Sequence, residues 1–65
     1  MIVEQAIDAA NDRVQGAGSF KAVLAVALEL TPAELRGVCD LNSVEADTNA
    51  RKATLARRLA TALHC

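Results

Sequence analysis

The chain has 65 residues, 52% of them hydrophobic, with one aromatic side chain and a formal net charge of −1. That length supports one small apolar core, and abundant Ala, Leu, Arg and Glu argue against a sheet and for an all-α chain. Charge is segregated, because residues 1–50 hold eight acids and three bases (−5) while residues 51–65 hold four bases and no acid (+4).

The first segment, IVEQAIDAANDRV, sets Val3, Ala6, Ile7, Ala10 and Val14 at three- and four-residue steps, with Glu4, Asp8 and Asp12 elsewhere. This is the pattern of an amphipathic helix with an acidic outer side, ending where QGAGS places two glycines. Ser19 is the natural N-cap of the next helix. That helix, SFKAVLAVALEL, has only Lys21 and Glu29 as charges, so most of its circumference is apolar. Such a helix is expected at the centre of the domain, with Phe20 as a core anchor.

The stretch TPAE carries the sharpest local signal. Thr31 reads as N-cap, Pro32 as the first helical residue and Glu34 as the return arm of a capping box. Proline also disfavours helical geometry at Thr31, so the second helix stops near Leu30. The third helix presents Leu35, Val38 and Cys39 inward. NSVEADTN then reads as an extended loop pinned by Val44, with Asp47 or Thr48 capping the last helix. In that helix Leu55, Ala56, Leu59 and Leu63 share one side, with Lys52 at its edge. Arg51, Thr54, Arg57, Arg58 and Thr61 fall on the other, which points the arginines to solvent. The expected architecture is one all-helical domain over residues 1–65, with four short helices spanning 2–14, 19–30, 32–41 and 49–63.

Chemistry-bearing constellations are sparse. His64 is the single histidine, and no serine or cysteine has a plausible histidine and acid beside it. GAG lacks the spacing of a phosphate loop, and two cysteines without a CxxC make neither a disulfide framework nor a metal site. Cys39 reads as a small buried hydrophobe and Cys65 as an exposed thiol able to crosslink copies in air. The longest apolar run, AVLAVAL, is too short to span a bilayer, and no basic leader precedes an apolar core. The expectation is a non-enzymatic protein without metal or cofactor, cytoplasmic and not in a membrane.

Residues 30–59, LTPAELRGVCDLNSVEADTNARKATLARRL, carry Leu30 and Leu35 in one helix, then Lys52, Leu55, Arg58 and Leu59 in the next. That pattern resembles the SAP-type helix–extension–helix module, in which the second helix opens Lys-x-x-Leu-x-x-Arg-Leu. The resemblance implies a small nucleic-acid-binding unit, though related modules bind proteins. The chain departs from the family in having TNAR where a Ser-Gly or similar small pair precedes the lysine. Its connector is longer and carries Glu45 and Asp47.

Independently of that likeness, a helix N-terminus attracts anions, and Arg51 and Lys52 stand in the expected first turn. Arg58 follows seven residues on, flanked by Arg57. These four residues, Arg51, Lys52, Arg57 and Arg58, are the candidate nucleic-acid contacts, binding phosphates weakly and without regard to base sequence. The rival expectation is a protein–protein interaction module that docks by an incompletely covered apolar stripe on the first or second helix, a homodimer being one variant.

Overall fold

A computed structural model describes the chain over residues 3–64. Ile2, the Val3 side chain and Cys65 lie outside the described residues, and with them part of the first helix's expected start and the exposed-thiol reading. Four helices follow in order: α1 Val3–Gly16, α2 Phe20–Glu29, α3 Pro32–Leu41 and α4 Lys52–His64. There is no strand among the described residues. The most extensive pairings are α2 with α4 and α1 with α3. All four helices feed one cluster, from Ala10 and Val14 through Val23 and Ala27 to Leu35, Val38, Cys39, Leu55 and Leu59.

Local chemistry explains each boundary. α1 runs to Gly16, two residues past the expected stop, and closes with the Ala17 amide donating to the Val14 carbonyl at 3.1 Å. Gly16 keeps a negative φ, so it ends the helix without breaking it earlier. Ser19 caps α2, its Oγ accepting from the Ala22 amide at 3.1 Å. Leu30 is extended and buried, which turns the chain before Pro32. The capping box at the start of α3 is complete: the Glu34 amide donates to Thr31 Oγ1 at 3.2 Å, and the Thr31 amide to Glu34 Oε1 at 3.1 Å.

The end of α3 is built with equal care. The Val44 amide donates to the Cys39 carbonyl at 2.8 Å and the Ser43 amide to the Asp40 carbonyl at 3.2 Å. Those two bonds are the paired closure of a Schellman motif, which needs a left-handed residue at the turn. Ser43 supplies it with φ 57°. The turn reverses the chain and lays Val44 against the core. Asn42 adds a side-chain lock: its Nδ2 donates to Asn11 Oδ1 at 2.9 Å and to the Val38 carbonyl at 2.8 Å, and its Oδ1 accepts from Gln15 at 2.6 Å.

Two expectations about the core need correction. α2 is not wrapped on all sides: Val23 and Ala27 are buried, but Phe20 is 37% exposed and Leu28 45%. Phe20 is therefore no core anchor. α2 turns Val23 and Ala27 to the core and pairs most extensively with α4, whose Leu55, Ala56, Leu59 and Ala60 are buried. Phe20 and Leu28 are left on its outer side.

Candidate nucleic-acid interface

α4 begins at Lys52, three residues later than the expected start, and neither Asp47 nor Thr48 caps it. Asp47 instead closes a turn, its carbonyl accepting from the Ala50 amide at 3.0 Å. Arg51 stands just ahead of the helix, with its carbonyl taking the first helical bond from Leu55 at 3.1 Å. Among the described residues no side chain bonds to the first-turn amides of α4. Those amide donors stay open to an anion.

The four expected contacts do not form one ridge. At roughly 100° per residue, Arg58 returns to within about 20° of Arg51, while Arg57 lies about 120° away and Lys52 about 100° away on the other side. Arg51 and Arg57 are exposed, whereas Lys52 and Arg58 are half-buried. Arg51, Lys52 and Arg57 make no hydrogen bond or ion pair among the described residues.

Arg58 differs, and the expectation that it points freely to solvent is corrected here. Its Nη1 lies 3.3 Å from the Glu45 carbonyl and 3.6 Å from Asp47 Oδ2. From the other side of the connector, Arg36 Nη2 donates to the Thr48 carbonyl at 2.8 Å. The connector is thus clasped between a guanidinium from α3 and one from α4. Arg36 Nε is buried without a partner among the described residues, so this clasp carries some unrelieved desolvation. The Arg58 charge is also felt at Cys39. Burial pushes the Cys39 thiol above its ordinary range, Asp40 pushes in the same direction, and Arg58 pulls it part of the way back.

Between the returning connector and the outer side of α4 runs an open groove of about 590 Å³. Arg57 and Arg58 stand on one wall with Thr54 and Thr61, one helical turn to either side. Ser43, Val44 and Glu45 line it from the connector, and Ala62 of α4 lines it as well. Two guanidinium groups and three hydroxyls suit an anion's oxygens, but the Glu45 carboxylate opposes one. Spacing alone puts Thr54 and Thr61 on the outer face of α4 but assigns them no role, and it puts Ser43 only in the loop; the reversal after α3 brings Ser43 to the groove.

A second cleft, between α1 and α3, measures about 400 Å³ and carries Glu4, Asp8 and Asp40 over Ile7 and Leu41. Among the described residues no group of three or more His, Cys, Asp or Glu side chains is placed to hold a metal ion. No helix among them is long and apolar enough to cross a membrane. No family model, curated protein or solved structure matches the chain.

Proposed function

We propose that this chain binds nucleic acid weakly through the phosphate backbone, with Arg51, Lys52, Arg57 and Arg58 as its contacts. On this reading α3, the connector and α4 act as a SAP-like helix–extension–helix unit over residues 30–59. The observation that carries it is the combination at the start of α4: uncapped amides beside Arg51 and Lys52, neither of which has an ion-pair partner among the described residues. Arg57 extends the positive surface to the groove. Arg58 serves first to hold the connector and contributes to a phosphate only when Asp47 lets go. The setting proposed is cytoplasmic, where nucleic acid is at hand and an unpaired thiol such as Cys39 stays reduced.

With two or three phosphates neutralised, the logarithm of affinity falls with the logarithm of salt at a slope of about −2 to −3. Anisotropy titrations of fluorescent duplex and single-stranded DNA and RNA at low salt test the proposal. Arg51→Ala and Arg57→Ala should each weaken binding by a similar factor on every sequence. An absence of binding at low salt, or binding indifferent to both changes, removes this reading.

A second reading has its own observation. Phe20 and Leu28 stand well exposed on α2, and large apolar groups in water favour a protein partner docking on that helix.

A further inference from the structure

The groove between the connector and α4 has a lining of two kinds. α4 brings it the guanidinium groups of Arg57 and Arg58 and the hydroxyls of Thr54 and Thr61, whereas the connector brings the Ser43 hydroxyl and the Glu45 carboxylate. The backbone carbonyl of Glu45 is taken by Arg58 at 3.3 Å. Its carboxylate is left over: Glu45 is exposed and forms no ion pair among the described residues. An ionised carboxylate only accepts hydrogen bonds, and it repels a phosphate close by. A seat for phosphate alone would gain nothing from it. Cationic donors from α4 together with a free acceptor from the connector fit a ligand that is anionic at one point and carries a hydrogen-bond donor at the next.

We propose that the groove takes one ribose phosphate unit of an RNA strand, and that Glu45 makes the chain prefer RNA to DNA. This rests on the nucleic-acid reading above and names its substrate class. Each ribose carries a 2′-hydroxyl beside its 3′-phosphate, so donor and anion arrive together. The phosphate sits between Arg57 and Arg58 with the threonine hydroxyls beneath it, and the 2′-hydroxyl turns to the connector and donates to Glu45. The backbone of a DNA strand has no donor to offer, so it meets Glu45 as repulsion only.

Size and composition agree with that occupant. The groove measures about 590 Å³, within the roughly 300–1,000 Å³ of small-ligand sites, which suits one nucleotide. Neighbouring phosphates run on along α4 towards Arg51, seven residues and about 10 Å from Arg58. No lining residue is aromatic, so the bases go unread and the sugar alone discriminates.

Anisotropy titrations at low salt test this, with single strands of A and C only, made as DNA, RNA and 2′-fluoro RNA. The 2′-fluoro sugar keeps the ribose shape without the donor. RNA should bind roughly three- to tenfold tighter than DNA, with 2′-fluoro RNA close to DNA. Glu45→Ala removes acceptor and charge at an exposed position and keeps the carbonyl that Arg58 holds, and circular dichroism checks that the fold survives. It should raise the affinity for DNA and bring the ratio of RNA to DNA binding close to one. Arg57→Ala should weaken both strands and leave the ratio as it was. A ratio unchanged by Glu45→Ala, with both affinities raised together, means that Glu45 only repels phosphate and overturns the proposal. 2′-Fluoro RNA binding as tightly as RNA overturns it as well, by assigning the preference to strand shape. Equal binding of RNA and DNA by the unaltered chain overturns the proposal and leaves the nucleic-acid reading standing. Binding of neither strand removes both.

Discussion

Asp47 holds Arg58: the carboxylate Oδ2 of the one lies 3.6 Å from Nη1 of the other, with the two side chains 52% and 39% exposed. A pair so open to water contributes little to folding, about 0–1 kcal/mol. Its larger effect is on what Arg58 can reach. Asp47→Asn removes a negative charge next to the groove and releases a guanidinium for phosphate. The expected outcome is a rise in nucleic-acid affinity of roughly two- to fivefold at low salt, shrinking as salt is raised. Anisotropy titration reads both, and an affinity unchanged or lowered by Asp47→Asn would take Arg58 out of the contact set.

Ser43 occupies the left-handed position of a Schellman turn, with φ 57°. A side chain there costs roughly 1–2 kcal/mol that glycine avoids, offset in part by glycine's greater freedom in the unfolded chain. Ser43→Gly should therefore stabilise the protein by about 0.5–1 kcal/mol, raising the melting temperature by roughly 2–8 °C. Thermal denaturation checks it. A lower melting temperature would mean that the Ser43 hydroxyl holds something that the turn requires.

The elements with strong local chemistry were legible from sequence, and those decided by neighbours were not. Thr31, Pro32 and Glu34 specify the start of α3 by themselves, and the inward trio Leu35, Val38 and Cys39 follows from spacing alone. α2 is the opposite case. Its stripe of Phe20, Leu24 and Leu28 and its stripe of Val23, Ala27 and Leu30 both fit helical spacing, and residue size favours the first for burial. Packing against α4 settles the matter, burying Val23 and Ala27 and leaving Phe20 and Leu28 exposed. The start of α4 was obscured in a similar way. Asp47 has the chemistry of a cap, but the Schellman reversal commits the connector to a path on which its carboxylate meets Arg58 instead. For the candidate site, composition revealed which residues carry charge. The fold decided which of them stay unpaired.

Gly37 of α3 lies directly against Ile7 of α1. A Cβ built there would fall 2.7 Å from Ile7 Cγ1 and 2.9 Å from Cγ2, and closer still to Cδ1. Moving Cγ2 away requires a new χ1, which a β-branched residue in a helix resists. Gly37→Ala gains about 1 kcal/mol of helix propensity but should lose more, for a net cost of about 1–2 kcal/mol. The decisive measurement is the same substitution in an Ile7→Ala background. With the obstruction gone, Gly37→Ala should become neutral or stabilising there. If it costs the same in both backgrounds, Ile7 is not the obstacle.

Cys39 is 0% exposed and its thiol is pushed above the ordinary range, first by burial and then by Asp40, against a smaller opposing pull from Arg58. The direction fixes the sign of a pH effect. Below the unfolded thiol's value of about 8.5 both states are protonated, and Cys39 adds no pH dependence. Above it the unfolded chain loses a proton that the folded chain keeps, so stability falls as pH rises, by at most about 1.4 kcal/mol per pH unit from this group. Other groups titrate at alkaline pH as well, and Cys39→Ala isolates the contribution. In a Cys65→Ser background, urea denaturation from pH 7 to 10 should show the stability advantage of Cys39 over alanine constant up to about pH 8 and shrinking beyond it. Under the same conditions a thiol reagent should modify Cys39 only as fast as the chain opens, because thiolate and access are both denied in the folded state. An advantage constant to pH 10, or modification faster than opening, would mean that the thiol ionises in place within the folded chain.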